Sequence, residues 1–241
     1  AAILKNHGQL KEAALSTRKA IELDPYHANS HDNLGIILKD LGKLKDAELS
    51  IRKAIEIKPD FANAHNNLGI ILKDLGKLKD AENSYRKAIE IKPDFAEVHY
   101  NLGIILQDLG KLKDAENSYR KAIELNTDLA EANLNLGNIL RDLGNFDDAI
   151  NQYKQALKSS NDSSLAKESL ISTKGKICDW SDEDIQAIWL RNLGIEGSSI
   201  SPWELFSLED NPLKHLERSK KYYKENFTRP TKHLKSSKKN I

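Results

Sequence analysis

The chain has 241 residues, with 37 lysines and arginines against 36 acidic residues and a formal net charge of +1. Its 39% hydrophobic content is low for a single globule and ordinary for a thin stack of small units. One cysteine, Cys178, excludes an internal disulfide and predicts a reducing compartment, read here as the cytoplasm. No apolar run is long enough to cross a membrane, and no secretory segment opens the chain.

Taken from the start, residues 1–27 read as the broken remainder of a unit, with Leu4 and Gly8 in late positions. The absence of any methionine agrees with a fragment whose parent extends upstream. Residues 28–163 hold four complete units. The pair Leu-Gly recurs every 34 residues, at Leu34-Gly35, Leu68-Gly69, Leu102-Gly103 and Leu136-Gly137. A second glycine keeps the same step at Gly8, Gly42, Gly76, Gly110 and Gly144, and Pro25, Pro59 and Pro93 close three units. A pair of helices of this size cannot bury its apolar face alone, so neighbours must stack.

Residues 62–95 show one unit. A first helix over Ala62 to Leu75 places Leu68, Ile71, Leu72 and Leu75 at helical spacing for burial. Gly69 lets the partner helix approach, and Gly76 ends the helix as a left-handed cap. The second helix turns Leu78, Ala81, Tyr85, Ala88 and Ile89 inward until Pro93 stops it. Glu82 precedes Arg86 by four residues, as Glu48 precedes Arg52 and Glu116 precedes Arg120. Each pair reads as solvated scaffolding adding about 0.2–0.5 kcal/mol.

Beyond the repeats, residues 164–176 form a capping helix in which Leu165, Ala166, Leu170 and Ile171 cover the last unit. Residues 177–230 form a helical junction. An amphipathic helix carries Trp180, Ile185, Ile188, Trp189 and Leu193, with Ser181 and Asp184 as a capping box and Cys178 buried beside Trp180. A loop over 194–201 leads to a helix begun by Pro202, and Pro212 opens a third with Leu213, Leu216, Tyr222, Tyr223 and Phe227. Residues 231–241 are a basic linker. Charge separates strongly here: residues 179–210 sum to −7 and residues 214–239 to +8. The basic stretch reads as a solvated helix and linker, or as packing against the acidic stretch or a following domain; nucleic acid is the weaker partner.

The candidate site lies on the first helix of each unit. Asn33, Asn67, Asn101 and Asn135 stand immediately before the Leu-Gly pair, and Asp40, Asp74, Asp108 and Asp142 follow seven residues later on nearly the same stripe. A carboxamide both donates and accepts, so it pairs with a peptide bond whatever the side chain. Packed helices lie about 8–10 Å apart and an extended strand advances about 3.3 Å per residue. One asparagine therefore meets a bound chain about every three residues. The plainer alternative is that the amides bond within the helix layer. For the aspartates, tuning side-chain preference and serving helix ends and solubility stand equal. Ile36, Ile70 and Ile104 read as packing residues. His31, His65 and His99 cannot share a metal, since equivalent residues of stacked units sit about 10 Å apart and zinc–nitrogen bonds are about 2.1 Å. No phosphate-binding glycine loop occurs, and no cofactor is expected in this chain.

The framework positions resemble the tetratricopeptide repeat, with Tyr85, Tyr119 and Tyr153 in its aromatic slot and the three histidines where the motif prefers tryptophan. That resemblance implies an all-helical, right-handed superhelical array, an α-solenoid with a C-terminal helical extension. Further on, Cys178-Asp179-Trp180, Ser201-Pro202-Trp203-Glu204-Leu205-Phe206, Asp210-Asn211-Pro212, His215-Leu216 and Lys220-Lys221-Tyr222-Tyr223 occur in that order. This succession resembles the region joining repeats to catalytic domain in O-linked N-acetylglucosamine transferases and SPINDLY-type glycosyltransferases. The resemblance implies a repeat arm that holds protein substrates on its asparagine ladder, with a nucleotide-sugar domain following near Ile241. Ser169, in the capping helix, departs from the ladder. The competing expectation is a free-standing adaptor for protein–protein interaction.

Overall fold

The computed structural model describes residues 2–160, 163–177 and 212–227. Among them are eleven helices and no strand. They are α1 (Ala2–Leu23), α2 (Ala28–Asp40), α3 (Leu44–Ile57), α4 (Ala62–Asp74), α5 (Leu78–Ile91) and α6 (Ala96–Asp108). There follow α7 (Leu112–Leu125), α8 (Ala130–Asp142), α9 (Phe146–Ser159), α10 (Ser164–Lys176) and α11 (Pro212–Phe227). The chain is an α-solenoid of paired helices, built as two compact units, Ala1–Ala132 and Asn133–Ile241.

In the first unit the pairs α2/α3, α4/α5 and α6/α7 are antiparallel hairpins, with α3 packed on α4 and α5 on α6. First helices also touch one another, α2 with α4 and α4 with α6, which makes them one continuous face. Two features of sequence set the hairpin. Gly76 adopts φ +74°, and its N–H donates to the Lys73 carbonyl at 2.9 Å while Lys77 N–H donates to Leu72 at 2.8 Å. These bonds satisfy the last carbonyls of α4 and turn the chain at once into α5. Gly69 is the second feature: a Cβ there would stand 2.5 Å from Tyr85 Cε1. The tyrosine ring fills the space the glycine leaves, so the two helices meet ring to backbone. The core is otherwise alanine, leucine and isoleucine, with Ala64, Ala81, Ala88 and Ile105 fully buried.

In the second unit the same contact recurs, Tyr153 Cε1 lying 2.5 Å from where a Gly137 Cβ would be. α10 packs on α9, and the Ser163 hydroxyl accepts from Ala166 N–H at 3.2 Å to cap its start. Ala166, Leu170 and Ile171 are buried as expected, but Leu165 is 56% exposed. Placed one residue before Ala166, it points about 100° away from the packed stripe. α11 spans the basic helix expected from Pro212, with Leu213 and Leu216 exposed and Arg218 fully buried. The expected helices and the Ser181–Asp184 capping box over 178–211, Cys178 beside Trp180 and the linker over 231–241 lie outside the described residues.

One expectation for the repeats is corrected. Glu82 is only 8% exposed. It takes Arg86 Nη2 at 2.9 Å on its own helix and Lys111 Nζ at 2.7 Å from the next pair, 29 positions on. Glu48 does the same with Arg52 and Lys77. These carboxylates are cross-repeat ties rather than solvated scaffolding. Stacking brings the next pair's N-cap lysine over the glutamate, which the i,i+4 spacing alone does not reveal.

Candidate functional site

α2, α4 and α6 each present an asparagine at the same register. Asn33 is exposed, whereas Asn67 and Asn101 are half-buried. Asn67 Nδ2 donates to Asp32 Oδ1 at 3.0 Å, and Asn101 Nδ2 donates to Asn66 Oδ1 at 3.1 Å, each bond crossing to the preceding first helix over 35 positions. Among the described residues no side-chain bond holds Asn33. The within-layer bond weighed from sequence is therefore present at two rungs. It takes one of the amide's two N–H donors and orients its plane, leaving the carbonyl oxygen and the second N–H. Asn135 stands at the equivalent register of α8, in the second unit, and is half-buried with a partner of its own.

The acceptors matter as much as the donors. Asp32 and Asn66 are 6% and 4% exposed. Burial pushes the Asp32 carboxyl above its ordinary range, and the bond from Asn67 works against that rise. This pair was not singled out by sequence reading; the signal available was the recurrence of a polar residue just before each ladder asparagine, at Asp32 and Asn66, broken at Tyr100 and Leu134.

The aspartate row is exposed at all four positions, Asp40, Asp74, Asp108 and Asp142. Asp40 lies 3.5 Å from Lys39 and Asp142 3.2 Å from Arg141. Among the described residues no salt bridge reaches Asp74 or Asp108. Burial, with the Asp74 and Glu97 carboxylates adding, pushes the Tyr85 phenol far above its ordinary value. Carboxylates from α4 and α6 thus act on one hydroxyl from neighbouring helices. Tyr119 donates to Gln107 Oε1 at 3.1 Å, so the aromatic slot reaches through to a residue of the first helix.

The histidines have a structural partner. Nε2 of His31, His65 and His99 lies 3.0, 2.9 and 2.9 Å from the carbonyl oxygens of Pro25, Pro59 and Pro93. Each ring joins the start of a first helix to the proline turn before it. Among the described residues no group of three histidine, cysteine, aspartate or glutamate side chains could hold a metal ion. No helix among them is long and apolar enough to cross a membrane.

Comparison with known proteins accords with this geometry. The family described as "TPR repeat" matches residues 37–76 and 71–110, and the one described as "Tetratricopeptide repeat" matches residues 94–162. The matches join over residues 37–162, more than half of the 241 residues. The chain belongs to the tetratricopeptide-repeat family. Repeats of this kind are protein-interaction scaffolds. Among solved structures, PilF of Pseudomonas aeruginosa is 21% identical with a TM-score of 0.71, covering 89% of this chain and 90% of that one. YrrB, described as a TPR protein with an unusual peptide-binding site, is 21% identical with a TM-score of 0.63, covering 86% and 99%. MamA is 24% identical with a TM-score of 0.60, covering 65% and 92%. At such identities these likenesses speak for the fold alone. Comparison with the curated proteins finds no match.

Proposed function

We propose that this chain is a polypeptide-binding arm whose first-helix face clasps an extended segment by its main chain. The observation that supports this most is the asparagine row: one carboxamide per helix at constant register, two of them oriented by cross-repeat bonds with an acceptor and a donor to spare. A bonded amide loses less freedom when it engages a ligand, which lowers the entropic cost of binding. The aspartates beside the row bias which side chains the segment carries.

Asn33 is the clean probe, because among the described residues no cross-repeat bond depends on it. Asn33→Ala should weaken binding of an extended neutral peptide several-fold, read by fluorescence anisotropy, with the melting temperature unchanged. Asn67→Ala, Asn101→Ala and Asn135→Ala together should weaken it further and lower the melting temperature. Peptide affinity untouched in both variants would end the ladder reading.

Within this reading the arm serves a nucleotide-sugar-dependent protein O-glycosyltransferase in the cytoplasm, presenting substrates to a downstream catalytic domain. What supports that step is the motif order over residues 164–230, most of it outside the described residues, and the lone cysteine. The coding sequence after Ile241 tests it. An open nucleotide-sugar domain keeps the reading, and a stop codon leaves a stand-alone adaptor that binds protein and transfers nothing.

A further inference from the structure

The exposed carboxylates of the α2–α4–α6 face have a counterpart in this chain's own sequence. Cations stand at Arg229, Lys232, Lys235 and Lys238, every third residue, with Lys239 adjacent and Pro230 within the run. A chain in the polyproline II conformation has three residues per turn and rises about 3.1 Å per residue, so residues three apart share one edge about 9.3 Å from each other. First helices packed side by side lie about 8–10 Å apart, and each brings one aspartate of the row. The two periods coincide.

The charges are complementary as well. On this face Lys39 and Lys73 offset only part of Asp40, Asp74, Glu97 and Asp108, and Gln107 stands where α2 and α4 have those lysines. Asp108 is therefore the carboxylate with no cation beside it in sequence. The asparagine and aspartate rows are about 10.5 Å apart along each helix. A main chain over the amides reaches the carboxylates with lysine's flexible four-carbon stem.

Resting on the reading above, we propose that the segment of residues 229–239, offered in trans, is a ligand of this face, its main chain on Asn33, Asn67 and Asn101 and three successive cations of its every-third series on Asp40, Asp74 and Asp108. The arm thus selects extended segments with a basic residue at every third position, and its own C-terminal stretch is one of them.

The test uses the full chain with Arg229, Lys232, Lys235, Lys238 and Lys239 each replaced by glutamine, so that no competing segment is present. Three labelled peptides of residues 228–241 are titrated against it: the native one, one of equal composition with its cations contiguous, and one with glutamine for every cation. The native peptide should bind at least tenfold more tightly than the contiguous one, and Asp74→Asn with Asp108→Asn should erase that preference while the melting temperature holds. Equal affinity of native and contiguous peptides overturns the proposal, since net charge alone then explains binding. If the neutral peptide binds through Asn33 and the native one gains nothing over it, this inference falls and the clasp stands. If none of the three binds, both fall.

Discussion

Gly69 and Glu82 show how little room a single position has in this stack. A methyl at Gly69 would meet Tyr85 Cε1, Cδ1 and Cζ at 2.5, 2.7 and 2.7 Å. An aromatic ring rather than a flexible tip must give way. Gly69→Ala should destabilise the chain by about 1–3 kcal/mol, seen as a lower urea midpoint. Glu82 and Glu48 couple stability to pH. For Glu48 the bond from Lys77 leads, against burial, with Arg52 adding, and its carboxyl sits below the ordinary 4.5. At Glu82 burial alone would raise the value, but bonds from Lys111 and Arg86 outweigh it and the result is again below 4.5. A carboxyl depressed in the folded state stabilises above its unfolded value, and that contribution fades as pH falls through the folded one. Urea midpoints should drop as pH is lowered below 4.5, and Glu48→Gln with Glu82→Gln should flatten that drop. An equally steep drop in the double variant would remove these residues from the explanation.

At the scale of the helix, stability comes from junctions more than from propensity. Most first helices start without a side-chain cap; α2 and α4 follow His27 and Phe61, neither of which caps through its side chain. Instead, the histidine one turn in reaches back to the preceding proline carbonyl. α10 follows the other rule, with a capping serine at its start. Ser163→Ala should cost about 0.5–2 kcal/mol, and hydrogen exchange should quicken in α10 before it does in α4. Uniform exchange in the variant would show that packing on α9, not the cap, holds this helix. The α11 helix illustrates a limit of pattern reading. Leu213 is 75% exposed there, and the buried side chain is Arg218, a cation that apolar spacing gives no reason to bury.

At the scale of the molecule, a solenoid's stability and its ligand affinity are both sums over repeats and their nearest-neighbour contacts. Asn33 and Asn101 sit two repeats apart and share no partner among the described residues. Their alanine substitutions should therefore weaken peptide binding additively, within about 0.3–0.5 kcal/mol. A strongly non-additive pair would point to one shared contact instead of a ladder.

The 34-residue step, the paired helices, the left-handed glycine at Gly76 and the close helix approach at Gly69 were all legible in the sequence, because each depends on neighbours a turn or a hairpin away. So was the register of the asparagine and aspartate rows, which helical periodicity alone sets. Only the stacked structure decided what those side chains bond. Asn67 to Asp32 and Lys111 to Glu82 join residues 35 and 29 positions apart. Such distances are set by how far one repeat translates and turns on the next. Periodicity gives the face a residue occupies; the neighbour it meets across the stack comes from packing.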